Sequence, residues 1–497
     1  MTGSFGIEVS LHLEDLAAVL TALRQLEKPP GWLVAVEELG RVRTDFEGAV
    51  PELGAGVPAL VRVKFKRAHL EDGHWVTLHR LTVLDEGADS PREIDIRGVL
   101  LAPGTEAPAE SAGSEPFESA GWRAYLPDLR LVVDRHPADV GLPAMPALTD
   151  PAAARVTLQT ALRNGADTRA ELTLAAAAPT VVRYREGLRC TIVYALDYPA
   201  AAATVGPTGL VAKVYEGDEG RHSYAAMTAL WSSPLRFSST VRIAEPLAFL
   251  PEINVVLQER VPGDISLKDH LKQAFAADVA PGVAALTEFV RKSGRGLAEL
   301  HTCGAAAGPD VTADDQIAAL RAAVTQLDTA LADSSAAIEP LVLGLERAAA
   351  EIPAAPLVPT HRSFRPAQIL LDGEDIAFLD FDGYCRAEPG LDLSLFRTTL
   401  IDLCLRALEA DDEAPNAEVQ RERQAQLDSL CASFLAGYEE VAPVDRERLA
   451  LWDAMTSAKD IVDCWRKVKF EHLDRRMEFL RQRLRLEPDV ELNSVAL

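Results

Sequence analysis

The chain has 497 residues, 48% of them hydrophobic, and a formal net charge of −25. That length and apolar content predict two or three domains of roughly 150 to 200 residues each rather than one packed unit. The negative charge repels phosphate backbones and anionic lipid, which argues against general nucleic-acid or membrane-surface binding and agrees with a soluble, well-hydrated surface.

The six cysteines, Cys190, Cys303, Cys385, Cys404, Cys431 and Cys464, are scattered, with no CxxC pair and no nearby histidine at metal-ligand spacing. They read as reduced, mostly buried thiols of a cytoplasmic protein. Met1 to Ser10 carries no basic n-region and no apolar h-region, and the chain lacks the run of about 18 apolar residues that a membrane span requires. Neither an export signal nor a membrane segment is expected.

Residues 1–105 read as a small α/β domain of their own. Leu13, Leu16, Val19, Leu20, Leu23 and Leu26 fall at helical spacing ahead of Lys28-Pro29-Pro30, which predicts a short amphipathic helix. Strands are expected at Trp32–Val36, Ala59–Phe65, His74–Leu84 and Ile94–Leu101. The alternating Arg62, Lys64 and Lys66 read as a solvated sheet face. No motif here carries recognisable chemistry. Residues 106–120, rich in Pro, Gly, Ser and Glu, read as a linker.

Residues 121–261 read as a second strand-rich region. Val181–Arg185 and Leu188–Tyr194 form a predicted hairpin with its turn at Glu186-Gly187. Gly209–Tyr215 is an apolar strand interrupted by Lys213, a costly residue in that setting unless it is paired. Arg221–Trp231 follows as a helix, with Glu216 and Glu219 in the turn before it. Ile253–Val261 is a strand that stops at Pro262-Gly263, and it reads either as a plain strand end or as a hinge.

From 262 to 497 helical patterns dominate. Val283–His301 ends in Leu300-His301, where the histidine reads as packed or capping. Leu320–Ala350 is Ala-rich and periodic, and Arg446–Leu486 places Ile461, Trp465, Phe470, Leu473, Met477, Leu480 and Leu484 on an inner face, with Arg475, Arg476, Arg481 and Arg483 outward. Between these patterns lies the most informative stretch, 358–395. It holds His361-Arg362-Ser363, Gln368 five residues beyond Ser363, and an apolar strand-turn-strand ending in Leu379-Asp380-Phe381-Asp382-Gly383.

The strand lysine, the Val-Pro-Gly hinge, the Leu-His helix end and the segment 361–395 together resemble the aminoglycoside phosphotransferase family, close to the choline kinases and maltokinase-like enzymes. The resemblance covers roughly residues 180 to 400. It implies an α+β, bilobal protein-kinase-like fold, a small antiparallel-sheet lobe plus a helical lobe, with residues 1–105 as an additional domain. It also implies ATP and Mg²⁺ as cofactors and a small-molecule acceptor. The extra domain suggests a role in binding a protein partner or presenting substrate.

Carried onto this chain, that resemblance implies catalytic roles for Ser363, His361 and Arg365. Lys213, Gly187, Glu259 and Val261 would contact the nucleotide, and Asp380, Gln368 and Asp382 would serve the metal. The family's loop reads His-Gly-Asp-x-x-x-x-Asn, so Arg362 stands at the glycine, Ser363 at the catalytic aspartate and Gln368 at the asparagine. Asp392 stands where an aspartate anchors helix to loop. A hydroxyl cannot take the proton of an alcohol at neutral pH, and a positioned base contributes roughly 10² to 10⁴ in rate. Three readings follow: a slow phosphotransferase, a nucleotide-binding or inactive pseudokinase acting as a regulatory module, and another transfer on the same fold, such as nucleotidyl transfer or phosphorylation of an acid.

Overall fold

The computed structural model describes residues 26–106, 121–135, 142–185, 187–199, 206–276, 282–331, 334–409 and 417–484, with the single positions 19, 116, 117 and 119. Most of the helix expected over Leu13–Leu26, most of the 106–120 linker and residue 186 of the hairpin turn lie outside the described residues. The chain divides into two compact units. Over the described residues, one draws on Ser10–Ala138, Asp314–Ile352 and Ala454–Leu497; the other on Asp139–Ala313 and Pro353–Asp453. The expected linear division at 105, 120 and 261 is therefore corrected: helical segments far along the chain belong with the N-terminal domain.

In the first unit a helix, α1 (Leu39–Ala49), accompanies an antiparallel sheet of β1 (Ala59–Glu71), β2 (His74–Leu84), β3 (Arg92–Leu100), β4 (Arg123–Leu126) and β5 (Leu131–Arg135), in the order β1-β2-β3-β5-β4. The turn between β1 and β2 is Asp72-Gly73 with φ of 47° and 77°, the left-handed pair that a tight right-twisted hairpin requires. β4 and β5 complete this sheet, so residues 121–135 leave the region to which the sequence reading assigned them. Trp32–Val36, expected as a strand, forms helical turns instead, since a five-residue apolar run has no periodicity long enough to tell the two apart. Arg62, Lys64 and Lys66 are exposed, as a solvated face demands. Arg483 is only 1% exposed, not outward: it follows Phe479 and Leu480 by four and three residues and shares their buried helix face.

The second unit holds Lys213 and the 358–395 segment. Its sheet has the order β10-β11-β8-β7-β6, built from β6 (Ala176–Arg185), β7 (Arg189–Asp197), β8 (Gly209–Tyr215), β10 (Pro246–Leu250) and β11 (Val255–Glu259), antiparallel throughout. A preceding helix, α2 (Pro151–Gly165), is capped by the Asp150 carboxylate on Ala153 N–H and lays Ala154, Leu158, Ala161 and Leu162 against one face. That face presents Ile192 and Tyr194 of β7 and Leu210, Ala212 and Val214 of β8. Strand alternation then sends Arg189, Lys213 and Tyr215 to the other face.

Helix α3 (Glu219–Trp231) and the short β9 (Val241–Ile243) belong to the same unit, and the chain then enters its helical part through β12 (Ile265–Ser266). There α4 (Leu267–Ala276), α5 (Gly282–Thr302), α6 (Gly390–Glu409) and α7 (Ala417–Glu439) surround two small sheets, β12-β15-β16-β9 and β13-β17-β14. Their remaining strands are β13 (Asp310–Val311), β14 (Val358–Thr360), β15 (Ile369–Asp372), β16 (Asp375–Phe378) and β17 (Cys385–Ala387). α5 and α7 approach backbone to backbone: a Cβ at Gly294 would collide with the Phe434 carbonyl, and one at Gly437 with that of Arg291. This small antiparallel-sheet lobe beside a helical lobe is the bilobal α+β architecture expected from the sequence.

Candidate active site

The site begins with β8. Lys213 pairs in register with Thr191 of β7 and Val256 of β11, and Tyr215 with Arg189, so three polar side chains project from one face of the central strands. The hairpin β15–β16 supplies their partners. It pairs Ile369 with Phe378, and one step further Leu379 N–H donates to the Gln368 carbonyl at 2.9 Å. Gln368 and Asp380, twelve residues apart in sequence, thereby become neighbours at the hairpin's base, and Gln368 Nε2 donates to Asp380 Oδ2 at 3.0 Å.

Asp380 has φ of 72°, a left-handed conformation that costs a non-glycine residue about 1 kcal/mol or more and is tolerated where surrounding contacts enforce it. The turn Phe381–Gly383 then carries Asp382 back toward the sheet. Lys213 Nζ lies 2.7 Å from Asp380 Oδ1 and 2.8 Å from Asp382 Oδ1. Asp382 Oδ1 also accepts from Tyr215 Oη at 2.8 Å and Ser223 Oγ at 2.9 Å, while Arg189 reaches its Oδ2 at 3.2 Å. Of the two expectations for Asp382, metal helper or solvated neighbour, the geometry disfavours the second: the carboxylate is only 12% exposed and takes four contacts.

Burial pushes the Asp380 carboxyl up, but the Lys213 ammonium with its hydrogen bond, together with Arg189, outweighs it and holds the group well below the usual carboxylate range. Burial pulls Lys213 down, and the surrounding Tyr215, Asp382 and Asp380 more than reverse this, so the lysine stays charged. Two carboxylates and two cations thus balance inside a pocket largely closed to water. The helix that follows β8 contributes no glutamate: Glu216 and Glu219 are both exposed, and α3 sends in only the Ser223 hydroxyl.

The segment from His361 to Gln368 packs beneath this cluster. His361 is fully buried, with its ring 4.8 Å from Phe381 and 5.6 Å from Phe364. Its Nε2 donates to the Leu379 carbonyl at 2.9 Å, and Ser363 Oγ lies 3.2 Å from its Nδ1. Asp392, at the start of α6, accepts the His361 backbone N–H at 2.7 Å and His301 Nε2–H at 3.3 Å, tying helix to loop, while Tyr438 Oη donates to His301 Nδ1 at 2.8 Å. His301 is a packed residue. Arg362 has φ of 65°, which accounts for the family's glycine at that position: the loop needs a left-handed residue there, and arginine adopts it at a cost.

The other expected contacts are more dispersed. Gly187 occupies the tip of the β6–β7 hairpin with φ of 69°. Glu259 N–H already donates to the Glu245 carbonyl at 2.9 Å, and burial together with the Glu245 carboxylate pushes the Glu259 carboxyl up. Val261 is buried just beyond it. Arg365 is exposed, and its carbonyl accepts Gln368 N–H at 2.8 Å. Arg189, Tyr215 and Ser223 were not anticipated. The signal for two of them was present: Tyr215 lies two residues from Lys213 on the same strand face, and a hairpin register would have set Arg189 opposite it.

Among the described residues, no group of three or more His, Cys, Asp or Glu side chains is placed to hold a metal ion, and no helix is long and apolar enough to cross a membrane. The carboxylates of Asp380 and Asp382 converge on Lys213, and the Gln368 amide meets Asp380 through Nε2.

No curated protein matches the chain. Among solved structures it is similar to a glucosamine kinase in complex with glucosamine, ADP and inorganic phosphate, at 15% identity over 89% of this chain and 98% of that one, with a TM-score of 0.43. It is similar to a thermostable mutant of an aminoglycoside phosphotransferase, at 15% identity over 62% and 95% of the two chains and a TM-score of 0.40. A choline kinase from Streptococcus pneumoniae matches at 12% identity over 65% and 99%, with a TM-score of 0.40. The family match is the more direct finding: residues 204–444, which hold Lys213, Gln368, Asp380 and Asp382, are similar to the phosphotransferase enzyme family.

Proposed function

We propose that this unit binds a nucleoside triphosphate with Mg²⁺ and transfers its terminal phosphoryl group to a small molecule. The observation that carries the reading is the meeting of Lys213 with Asp380 and Asp382 at 2.7 and 2.8 Å, a paired strand lysine beside carboxylates at the base of a hairpin. The donor set suits the metal, since Mg²⁺ takes oxygen ligands and is bound by one or two carboxylates plus substrate phosphates. Asp380, Asp382 and the Gln368 amide oxygen are the residues that would hold it, and it would supply charge neutralisation at the phosphates. Lys213 would give its own charge to phosphate oxygens once its carboxylates had another cation. Gly187 at the hairpin tip and the backbone around Glu259 and Val261 would bound the nucleotide.

A second reading, a nucleotide-binding module without turnover, is favoured by Ser363 standing where a carboxylate base is needed. The first test is a calorimetric titration of MgATP into wild type, Lys213→Ala and Asp380→Asn. Micromolar binding by wild type that both variants lose supports the nucleotide site; wild type that binds nothing with or without metal overturns both readings.

A further inference from the structure

Ser363 cannot act as a base, but its surroundings are those of an activated nucleophile. Its Oγ lies 3.2 Å from His361 Nδ1. The other ring nitrogen, Nε2, lies 2.9 Å from the Leu379 carbonyl, which can only accept, so the proton of the neutral ring is fixed on Nε2 and Nδ1 presents a lone pair. The hydroxyl therefore donates to the imidazole. A nucleophile, a base within hydrogen-bond reach and a third group that orients the base is the arrangement that activates serine elsewhere. The base is also immobile: it is fully buried, wedged between Phe364 and Phe381, and its backbone N–H is held by Asp392 at 2.7 Å. Burial pulls the His361 pKa down, which keeps the proton-accepting form populated at neutral pH. Ser363 itself is only half-buried, and the exposed Arg362 and Arg365 flank it in the chain.

We propose that Ser363 is a phosphoryl acceptor within this protein, taking the terminal phosphoryl group of a bound nucleoside triphosphate to give phosphoserine. In that step an Oγ–P bond forms and the P–O bond to the leaving nucleoside diphosphate breaks. The Oγ proton passes to His361 Nδ1, which becomes an imidazolium. This inference rests on the nucleotide site proposed above, so its test must separate the two.

The experiment incubates the full chain with MgATP, reads intact mass and maps the modified peptide, with a calorimetric titration of MgATP on the same preparations. One phosphoryl group per chain on residue 363 is expected for wild type. Ser363→Ala should lose the adduct completely and Ser363→Thr should keep it on the threonine, both with unchanged MgATP binding. His361→Asn should slow its formation by about 10²-fold or more, the usual loss on removing a positioned base. Wild type that binds MgATP yet stays unmodified overturns the proposal and leaves the nucleotide site standing. An adduct that maps elsewhere, or that persists in Ser363→Ala or in Lys213→Ala, also overturns it. Absence of MgATP binding removes both together.

Discussion

Lys213 and Asp382 form the ion pair that fixes the upper half of the site, Nζ to Oδ1 at 2.8 Å, and the acid comes from the turn after β16 rather than from helix α3. A glutamate on the helix would make the lysine's position depend on how that helix sits. Here the lysine is held instead by the segment that also carries Asp380, so the lysine and both carboxylates are fixed to one another. The helix reaches the same carboxylate through the Ser223 hydroxyl.

The first prediction concerns that hub. Asp382→Asn leaves Lys213 with one carboxylate and Arg189 without its acceptor charge. Removing one member of a buried pair costs about 3 to 5 kcal/mol, and because Asp380 still neutralises Lys213 the lower end is expected, about 3 kcal/mol in urea unfolding. Ser223→Ala removes one hydrogen bond to the same atom and should cost about 1 to 2 kcal/mol. A loss no greater than about 0.5 kcal/mol for Asp382→Asn would match a surface substitution and would show that the pair does not form.

A second buried pair anchors the helical part. Glu388 receives Arg448 through Nε at 2.5 Å and a terminal nitrogen at 2.6 Å, with Trp452 Nε1–H donating at 3.1 Å, and both charged side chains are 5% exposed or less. Glu388→Gln keeps the shape and loses the charge, so it should lower stability by about 3 to 5 kcal/mol. Replacing Glu388 and Arg448 together by Leu and Met should recover most of that loss, since an apolar pair leaves no charge uncompensated. A double variant less stable than the single one would mean that the geometry, not the charge, is what matters.

The segment 358–395 was the most readable part of the chain because its neighbours are local: hairpin pairing alone brings Gln368 to Asp380, and a reader of the sequence can count that register. Lys213 was visible for a different reason, as a charge inside an apolar strand that must find a partner. What stayed hidden was which partner. Asp382 lies 169 residues from Lys213 in sequence, and nothing in a five-residue motif says whether its second aspartate turns toward the sheet or toward water. The same limit applies to the first unit. A DG turn between alternating runs announces β1 and β2, but that β4 and β5 close the same sheet from beyond the linker, and that residues 314–352 and 454–497 join the unit, depends on contacts too distant in sequence for any local pattern to signal.

The first unit carries an acid response of opposing signs. His79 is fully buried, its Nε2–H donating to the Val36 carbonyl at 3.1 Å, and burial pushes its pKa down to about 4 from 6.5. A depressed pKa contributes stability that is present above pH 6.5 and lost as pH falls toward 4, here about 3 kcal/mol in all. Glu37, next to Val36 in the chain, runs the other way: burial and the nearby Glu471 carboxylate push it up to about 7. A raised pKa contributes stability that is full below 4.5 and lost as pH rises through 7. Wild type should therefore change little between pH 7 and 4.5 in the exchange protection of β2 amides. Glu37→Gln should lose protection on acidification and His79→Gln should gain it; two variants with the same pH slope as wild type would contradict this assignment.

Ser363→Asp tests what the missing base costs. A carboxylate at residue 363 can accept the proton of an alcohol, so with alcohol acceptors ATP consumption should rise by roughly 10² to 10⁴, about 3 to 5 kcal/mol of barrier. With carboxylate acceptors, which arrive already ionised, the same substitution should give no gain and could lose rate through repulsion between like charges. The contrast between the two acceptor classes is the informative quantity, because a general gain in folding or nucleotide affinity would raise both alike. The serine nucleophile is also gone in this variant, so the covalent adduct should vanish while transfer to alcohols speeds up. A variant that binds MgATP as wild type does and accelerates no alcohol would mean that residue 363 does not face the acceptor.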